Sequence, residues 1–380
     1  MCTISWTEND ESCSAHWHSE NSAAPPDRVV VVDDRTSAQS AHRMIRAGTG
    51  LLWRGDFHNA RQLMSALDRR LKRSAGRGPT GGDTAALFHR HRSARAERAE
   101  LLGRLLILLE PDRSLSLRRA PEVRAACDHA YGTAAVGDTG RTCVSLPELL
   151  GVLSAYQWHQ KGVDIPALEA RIHPAYGVFS PVRGEYVDLV ARAPFPPGDA
   201  PPVVFDLGTG TGVLAAVLAR RGARQVVATD INPRAVACAR ANMGRLGLAD
   251  RVRVEAADLW PSGQADLVVC NPPWLPAHPT SALELGIYDP GSDMLHRFLD
   301  GLTDHLTPAG EGWLILSDLA EHLRLRTRDE LLGAIAGAGL RVADRYDTSP
   351  RHPRATDTSD ALHEARGREV TSLWRLVRAG

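Results

Sequence analysis

The stretch Val203-Val-Phe-Asp-Leu-Gly-Thr-Gly-Thr-Gly212 places a glycine-rich loop directly behind a short apolar run. The apolar residues at 203–205 predict a buried strand, and residues 213–220 have the composition of a helix. Glycines allow the backbone to turn tightly and to approach a ligand without a Cβ clash. The free N–H groups at the start of the following helix then point toward that ligand. This stretch therefore predicts a strand, a ligand-binding loop and a helix, which form the first unit of an α/β sheet.

Downstream of this loop, short apolar runs alternate with alanine-rich helical patterns. The runs that predict strands are 225–229, 252–255, 267–270 and 313–317. Strands that alternate with helices predict a parallel sheet with helices on both faces. The last two runs, 341–346 and 371–377, are separated by a polar stretch, which predicts an antiparallel final strand. We therefore expect a Rossmann-like α/β domain over residues 201–380.

The spacing of the glycines and the residue ahead of them separate two classes of ligand. Glycines at 208, 210 and 212 give the pattern GxGxG, whereas dinucleotide-binding proteins use GxGxxG. Asp206 stands two residues ahead of the first glycine, where its carboxylate can hold an ammonium group through ordered waters. Both features favour S-adenosyl-L-methionine as the cofactor, although the loop alone leaves a nucleotide or a structural turn open. The cofactor site in this loop is assigned to Asp206, Gly208, Thr209, Gly210 and Gly212.

Acidic residues follow the next two predicted strands. Asp230 ends the second strand, where a carboxylate can accept both hydroxyls of a ribose. Asp258 follows the third strand, where its side chain or backbone can face an adenine amino group. We add the neighbouring Ile231 and Leu259 to the predicted cofactor site. Alternatives stay open, because an acid at 230 also suits an NAD-binding protein or a helix cap, and an acid at 258 also suits a surface turn.

The segment Asn271-Pro272-Pro273-Trp274 follows the fourth apolar strand, and it favours one kind of reaction. Two prolines directly after a buried strand end its hydrogen-bonding ladder and stiffen the loop. The nitrogen of an amide or aromatic amine is a poor nucleophile because its lone pair is delocalised. The side-chain oxygen of Asn271 and the carbonyl of Pro272 can accept its two N–H bonds and so orient the lone pair toward a methyl donor. Trp274 can stack on the planar group.

This loop therefore predicts N-methylation of a planar NH2 group, with Asn271, Pro272 and Trp274 as the catalytic residues. Asn271 also borders the predicted cofactor site. No strong general base is required, because the methylated nitrogen is cationic and passes its proton readily to the Pro272 carbonyl or to water. A proline-rich turn without a function is the alternative interpretation of the same four residues.

These motifs resemble those of the protein-(glutamine N5) methyltransferases, which modify peptide release factors, and of related small-domain N-methyltransferases. The resemblance covers roughly residues 173–317, and the segments that carry it are DLGTGTG (206–212), TDINPRAVACARANMGRLGL (229–248), ADLVVCNPPWLP (265–276) and YDPGSDML (288–295). It implies an enzyme with the class I fold of methyltransferases that depend on S-adenosyl-L-methionine (SAM). The product formed from the cofactor is then S-adenosyl-L-homocysteine (SAH).

An upstream segment, VFSPVRGEY (178–186), resembles the one that precedes the core in that family and helps to cover SAM and the substrate. The resemblance implies substrate contacts from Phe179, Pro181, Arg183, Tyr186 and Pro273. Trp274 stands where the family usually has tyrosine, and the family's Pro-Arg-x-x-Thr-Glu pattern is incomplete upstream. The acceptor is therefore left open among a protein glutamine, a peptide and a small molecule.

The residues ahead of 201 predict a different organisation. Residues 1–37 are polar and broken by prolines, which predicts a disordered or poorly ordered tail with a short strand at 28–34. Residues 38–170 show the helical spacing of apolar side chains, which predicts a mostly α-helical N-terminal domain that recognises the substrate. Residues 171–200 are expected to connect this domain to the methyltransferase domain at 201–380 and to cover its site.

The charge of the chain is balanced overall, with 45 basic and 45 acidic residues, but it is unevenly distributed. Within residues 41–125, 18 Lys and Arg stand against 8 Asp and Glu. The simplest interpretation is a solvated helical surface. One functional alternative is a methyltransferase of nucleic-acid bases, acting on adenine N6 or guanine N2 of rRNA, tRNA or DNA, whose basic N-terminal region binds the nucleic acid. Another is a non-catalytic SAM-binding partner. The intact acceptor loop (Asn271–Trp274) argues against this alternative.

The cysteines and the apolar runs indicate the compartment. The six cysteines are scattered without a CxxC pair, and no apolar run reaches the roughly 18 residues that span a bilayer. We therefore expect a cytoplasmic protein without a membrane partner. Cys13, His16 and His18 are spaced like metal ligands but lack a partner cluster, so no metal is predicted.

Overall fold

Three β-sheets, of six, seven and two strands, organise the part of the chain that the structure describes. The computed structural model describes residues 2–75, 83–133, 140–279, 282–350 and 362–380. The chain divides into two units, Met1–Gln157 and Trp158–Gly380. The six-stranded sheet lies in the first unit, and the other two sheets lie in the second. Within the described ranges, no helix is long and apolar enough to cross a lipid bilayer.

The first unit builds its sheet from strands that are distant in sequence. Its strands and helices, in chain order, are β1 (Thr3–Glu8), β2 (Glu11–Trp17), β3 (Arg28–Val32), α1 (Ala38–Arg46), β4 (Thr49–Trp53), α2 (Phe57–Ala75), α3 (Thr84–Gly103), β5 (Leu105–Leu109), α4 (Arg124–Tyr131), β6 (Thr142–Ser145) and α5 (Leu146–Lys161). The strand order is β1-β2-β6-β5-β4-β3. β3, β4 and β5 run parallel, β5 and β6 run antiparallel, and the β1–β2 hairpin joins β6 through a parallel ladder.

The prediction of a disordered or poorly ordered tail over residues 1–37 is wrong, because this segment supplies β1, β2 and β3. In β1 the side chains alternate between buried and exposed, with Ile4 and Trp6 in the core. Asn9 and Asp10 have φ angles of 52° and 67°, the left-handed pair that a two-residue hairpin turn favours. Two apolar residues in polar surroundings are too weak a pattern to distinguish a strand from a disordered segment. The short strand predicted at 28–34 is confirmed as β3.

The mostly α-helical domain predicted over residues 38–170 does contain α1 to α5, but the prediction misses β4, β5 and β6, which lie between these helices. β4 and β5 are buried along their whole length. A strand covered on both faces loses the alternation of polar and apolar residues, so its apolar run reads as a continuation of the neighbouring helix. Leu51 and Leu52, which fit a helical spacing, lie in β4, and α3 ends at Gly103 before β5 begins.

The second unit has the sheet that the sequence predicts. Its strands and helices, after α5, are β7 (Val163–Ile165), β8 (Ala170–Ile172), α6 (Glu185–Arg192), β9 (Val203–Leu207), α7 (Val213–Arg220), β10 (Gln225–Asp230), α8 (Pro233–Leu246), β11 (Val252–Ala256), β12 (Ala265–Cys270), α9 (Asp293–His305), β13 (Leu306–Ser317), α10 (Leu319–His322), α11 (Arg328–Gly337), β14 (Leu340–Thr348), α12 (His363–Arg368) and β15 (Thr371–Arg378). The strand order of the large sheet is β11-β10-β9-β12-β13-β15-β14.

Every neighbouring pair in this sheet is parallel except the two that involve β15, which is antiparallel to β13 and to β14. The Rossmann-like α/β fold and its antiparallel last strand are therefore confirmed. The helix α12 lies between β14 and β15, where the sequence predicts none, and the rest of the polar stretch, at 351–361, lies outside the described residues.

The segment at 171–200, predicted to be a connection, is part of the second unit. Its helix α6 buries Tyr186, Val187 and Val190 in the same apolar cluster as Val204 of β9 and Val217 of α7. Residues 158–170, predicted to close the N-terminal domain, contribute the β7–β8 hairpin to the same unit. The boundary between the units lies at 157–158, ahead of the predicted one, because the apolar face of α6 is buried against the large sheet and its helices.

The parallel strands of the large sheet end at one edge, which positions the candidate site. β10 and β12 lie on opposite sides of β9, so the chain direction across the sheet reverses there, and α/β sheets bind ligands at such a point. Leu207 at the end of β9 is paired with Cys270 at the end of β12. The glycine-rich loop and the Asn-Pro-Pro-Trp loop therefore leave the sheet side by side.

Candidate functional site

The glycine-rich loop after β9 adopts the conformation that its glycines predict. Gly208, Gly210 and Gly212 have φ angles of 69°, 56° and 81°, a region that residues with a Cβ rarely adopt. A Cβ on Gly208 would lie 2.8 Å from Met294 Cε, and one on Gly212 would lie 2.9 Å from Met243 Cε. The loop is thus packed as closely as bare backbone allows, at the N-terminus of α7, where unpaired N–H groups favour a polar or anionic ligand.

Asp206 is buried beneath this loop. Its Oδ2 accepts hydrogen bonds from Thr209 Oγ1 at 2.6 Å and from the backbone N–H of Ala215 at 3.0 Å. Burial raises the pKa of Asp206 to about 6, although both hydrogen bonds oppose that rise. The carboxylate therefore ties the glycine-rich loop to the first turn of α7, and it is costly to ionise while no cation lies beside it.

Asp230 at the end of β10 faces the same loop. Its Oδ2 accepts from the N–H of Gly210 and its Oδ1 from the N–H of Asn232, each at 2.9 Å. Burial raises the pKa of Asp230. The Asn232 side chain accepts from the N–H of Arg234 and caps α8, so capping does not account for the acid at 230. The neighbouring Ile231 side chain is 71% exposed at this edge.

The residues after β11 divide between the surface and the core. Asp258 is exposed and forms an ion pair with Arg297 of α9, at 2.9 Å. Leu259 has a φ of 76°, and its carbonyl accepts from Thr229 Oγ1 at 2.6 Å. The backbone at Leu259 is therefore fixed against β10, whereas the Asp258 carboxylate points to a salt bridge on the surface.

The acceptor loop contains a hydrogen bond that its sequence does not predict. Asn271 Oδ1 accepts from Trp274 Nε1 at 2.8 Å. Because an indole N–H can only donate, the side-chain oxygen of Asn271, and not its NH2 group, must face the ring. Pro272 is buried and Pro273 is half-buried. The half-buried Trp274 packs against two apolar clusters of the unit, one that contains Val204 of β9 and one that contains Phe205 of β9, so the ring and the asparagine form one rigid group.

The upstream segment reaches this loop through Arg183. The guanidinium carbon of Arg183 lies 5.5 Å from the centroid of the Trp274 ring. Arg183 Nη1 donates to Glu369 Oε1 at 3.0 Å, and Ser317 Oγ donates to the same oxygen at 2.7 Å. A cation over the ring face is thus held by a buried carboxylate just ahead of β15. No local pattern marks Glu369 or Ser317, so the sequence predicts neither.

The other predicted substrate residues lie at different depths. Tyr186 is buried in the core under α6, where burial raises the pKa of its phenol. Pro181 is buried and Phe179 is half-buried. A Cβ on Gly286 would lie 3.1 Å from Phe179 Cβ, so Phe179 packs on the 3-10 turn Ala282–Gly286 downstream of the acceptor loop. The structure therefore brings Arg183 and Phe179 to the acceptor side and leaves Tyr186 in the core.

A buried asparagine that the sequence does not single out supports the glycine-rich loop. Asn242 of α8 is fully buried, and its Nδ2 donates to the carbonyls of Thr211 at 3.0 Å and of His173 at 3.2 Å. Its Oδ1 accepts from the N–H of His173 at 3.0 Å. Asn242 thus connects the loop, α8 and the start of the upstream segment. A polar residue on the buried face of a helix is the one signal that marks it.

The acidic, histidine and cysteine side chains of the described residues do not converge on a metal site. No group of three or more of them is arranged to hold a metal ion within those ranges. His18, one of the residues with ligand-like spacing, forms an ion pair with Glu20 at 3.1 Å instead.

Comparisons with known proteins agree with this geometry. Residues 197–327 match the family model described as methyltransferase small domain. The release factor glutamine methyltransferase of Cereibacter sphaeroides is 36% identical over 121 residues, which are 28% of this chain and 44% of that protein. The ribosomal protein L11 methyltransferase of Symbiobacterium thermophilum is 47% identical over 68 residues, which are 18% of this chain and 22% of that protein.

A third relative, a putative protein N5-glutamine methyltransferase of Methanocaldococcus jannaschii, is 27% identical over 165 residues, which are 41% of this chain and 80% of that protein. The chain spans less than half the length of the first two relatives. Residues 197–327, which match the family model, contain the glycine-rich loop, the acid at 230 and the acceptor loop. The resemblance that these motifs indicate is therefore confirmed.

Proposed function

We propose that this protein, whose residues 197–327 match the family model described as methyltransferase small domain, transfers a methyl group from SAM to a planar amide or amine nitrogen. One observation carries the proposal. The paired ends of β9 and β12 place the glycine-rich loop beside the acceptor loop, so a cofactor on the first loop lies next to a nitrogen held by the second. When bound, SAM supplies an electrophilic methyl group and leaves as SAH.

The residues around the glycine-rich loop fit this cofactor. Gly208, Gly210 and Gly212 have no side chains, so a ligand on this loop meets backbone. Asp206 is a buried carboxylate with a raised pKa, and the ammonium group of an amino acid is a cation that would favour its ionised form. Asp230 is the acid assigned to the ribose hydroxyls, and Ile231 and Leu259 are apolar neighbours assigned to the adenine side. Asp258 keeps this assignment only through its backbone, since its carboxylate pairs with Arg297.

The acceptor loop holds and orients the nitrogen. An amide oxygen has two lone pairs, so Asn271 Oδ1 can accept from Trp274 and still accept one N–H of the acceptor. The Pro272 carbonyl accepts the other N–H. Trp274 offers its ring for stacking on the planar group, and Arg183 lies 5.5 Å from the ring centroid. These contacts favour the more pyramidal nitrogen of the transition state, and the proton released afterwards passes to the Pro272 carbonyl or to water.

A protein acceptor is the substrate class that we favour. The relatives are named for methylation of a release-factor glutamine and of a ribosomal protein, which supports a protein or peptide over a free small molecule. The nucleic-acid alternative rests on the basic stretch at 41–125. Several of its arginines and lysines are paired with acids there, including Arg46 with Glu97 and both Lys72 and Arg98 with Asp68. Such pairing favours a solvated surface over a phosphate-binding one.

Asn271→Ala tests the proposal. The labelled methyl group of SAM is first followed into fractions of a host lysate to identify the acceptor. The variant should then bind SAH with unchanged affinity while turnover falls about 100- to 1000-fold, because one preorganised polar contact at the reacting nitrogen is lost. Asp230→Ala is the matched control and should lose SAH affinity at least about tenfold. If Asn271→Ala lost SAH binding and turnover in parallel, the loop would be a cofactor clamp instead.

A further inference from the structure

Arg326 is a buried arginine in the loop between α10 and α11. Only 8% of its surface is exposed. Its Nη1 donates a long hydrogen bond of 3.4 Å to Ser292 Oγ. Its Nε and Nη2 have no hydrogen-bond partner among the residues that the structure describes. Burying a guanidinium whose N–H donors are unpaired costs free energy, so the position of Arg326 calls for a physical reason.

The two unused nitrogens of Arg326 lie on one edge of the guanidinium. The Nε–H and one Nη2–H bond point in the same direction, and this edge binds the two oxygens of a carboxylate or phosphate through parallel hydrogen bonds. The single bond that the group does make, to Ser292, uses the other terminal nitrogen. A single anion with two oxygens would fit both unused donors.

The acids near Arg326 are committed elsewhere. Both oxygens of Asp289 accept backbone N–H groups at the start of α9, from Met294 at 3.1 Å and Leu295 at 3.2 Å. Glu321 pairs with Arg328 at 2.8 Å. These carboxylates lower the cost of the buried charge through space, but none of them occupies the unused edge.

Arg326 lies at the acceptor side of the proposed site. Its loop follows the carboxyl end of β13, beyond β12 and its acceptor loop, whereas the proposed cofactor residues follow β9, β10 and β11. Ser292, which it contacts, directly precedes α9. Two residues later, Met294 packs against Gly208 of the glycine-rich loop. Ser292 thus links the guanidinium to the start of α9, the helix whose Met294 packs against the glycine-rich loop.

We propose that the unused edge of Arg326 binds a carboxylate of the methyl acceptor, so that the acceptor is a molecule or peptide that carries a carboxylate close to its NH2 group. This proposal rests on the proposed function and specifies its substrate class. The charges nearby favour a carboxylate over a phosphate. Three acids, Asp289, Glu321 and Glu330, influence Arg326 electrostatically, and a dianionic phosphate monoester would meet more repulsion from them than a monoanion.

Binding of small amides to the full-length protein, saturated with SAH, tests the proposal without requiring methyl transfer. The probes are succinamate, glutaramate and adipamate, which each carry one amide and one carboxylate, and the matched controls are the corresponding neutral diamides. Saturation-transfer NMR should show that at least one acid binds about tenfold or more tightly than its diamide, because a two-pronged contact to a buried arginine is strong. Equal affinity of every acid and its diamide, or no binding, overturns the proposal.

Variants of Arg326 identify the source of the preference. Arg326→Met should abolish it, and Arg326→Lys, which keeps the charge but not the planar fork, should lose most of it. Arg341→Met, which replaces an exposed arginine on β14, is the matched control and should retain it. A preference that persists in Arg326→Met overturns the proposal. Stronger competition by methyl phosphate than by acetate would reassign the edge to a phosphate.

Two further measurements separate a subsite from other roles. Arg326→Met should leave the Tm unchanged or raise it by about 2–4 °C, because it removes a buried charge whose best edge has no internal partner. A lower Tm would identify a structural ion and contradict the proposal. SAH affinity, measured by calorimetry, should not change in this variant, and a parallel loss would assign the carboxylate to the cofactor. Failure of SAH to bind the wild type would refute the proposed function separately.

Discussion

At the scale of single residues, the hydrogen bond from Trp274 to Asn271 gives the departure from the family's tyrosine a physical role. The indole N–H fixes the orientation of the asparagine amide, so its oxygen and not its NH2 group faces the indole ring. An asparagine without such a partner can present either end. The tryptophan is therefore expected to act on the rate through Asn271 as well as by stacking.

Trp274→Phe separates these two contributions, because it keeps an aromatic face and removes the N–H. Turnover should fall about 2- to 12-fold, the value of one ordinary hydrogen bond, while the KM for the acceptor changes little. Steady-state kinetics on the identified acceptor measure both. Trp158→Phe, which changes an exposed tryptophan, serves as the control. A large rise in KM with an unchanged kcat would show that the ring acts by binding alone.

Asp206 predicts a dependence of stability on pH. Its pKa is about 6 in the folded protein, against an unfolded value near 3.8. The folded form therefore holds a proton that the unfolded chain has released, and the stability that this gives is full below pH 3.8 and is lost as the pH rises through 6. Asp206→Asn should thus be more stable than the wild type at pH 7.5 without a ligand, by up to about 3 kcal/mol.

Thermal unfolding of the two ligand-free proteins between pH 4 and 8 measures this difference, which should shrink toward zero at the acid end. The SAH affinity of the wild type should rise between pH 5 and 7, because Asp206 ionises beside the ammonium group of the ligand. The Asp206→Asn variant should lack this rise. A constant difference in Tm across the range would show that the carboxylate is already ionised in the ligand-free protein.

The sequence predicts the site residues that act through their own backbone or their place at a strand end. Gly208, Gly210, Asp206 and Asp230 belong to this class. It does not predict Glu369 and Arg326, because their partners, Arg183 and Ser292, are distant in sequence and no short motif connects them. The Asn271–Trp274 bond spans three residues, but it depends on the rotamers of both side chains, which the packing of the two apolar clusters determines.

At the scale of elements, the antiparallel end of the large sheet contains a nearly buried ion pair. Glu311 of β13 and Arg375 of β15 form a two-pronged contact, with distances of 2.8 Å for Nε–Oε2 and 2.5 Å for Nη2–Oε1. Their side chains are 7% and 14% exposed. β15 lies between β13 and β14 in the sheet, and this ion pair connects β15 to β13.

Arg375→Met should lower the free energy of unfolding by about 3–5 kcal/mol, because it leaves the Glu311 carboxylate buried without its partner. Urea denaturation at pH 7 measures the change. The double variant Glu311→Gln with Arg375→Met should recover much of the loss, since no uncompensated charge remains. If the single and double variants were equally unstable, the loss would come from packing and not from charge.

Fully buried strands are predictable here only from the residues that stand next to them in the sequence. Three strands are recognised by such neighbours: glycines follow β9, an acid ends β10, and two prolines stand just after β12. β4 and β5 have comparable apolar runs but follow helices almost without a break, so the one-dimensional pattern continues from helix to strand. Which of them becomes a strand is decided by the pairing of β4 with β3 and with β5.

At the scale of the whole molecule, each unit has its own sheet, and every residue assigned to the cofactor lies in the second unit. Residues 158–380 should therefore fold alone and bind SAH with the affinity of the full chain, because their core is formed by their own side chains. Thermal unfolding and calorimetry of the fragment check this. A fragment that aggregates, or that folds but does not bind SAH, would show that residues 1–157 complete the site.

The parallel ladder between β2 and β6 affects how the chain folds while it is synthesised on the ribosome. Trp17 pairs with Cys143, so the β1–β2 hairpin stays without its neighbour β6 until most of the unit has been translated. At about 5–20 residues per second, that interval is on the order of ten seconds. During that interval one edge of the β1–β2 hairpin is unpaired and can pair with strands of other chains. A nascent-chain chaperone that shields β1 and β2 should therefore raise the yield of native protein.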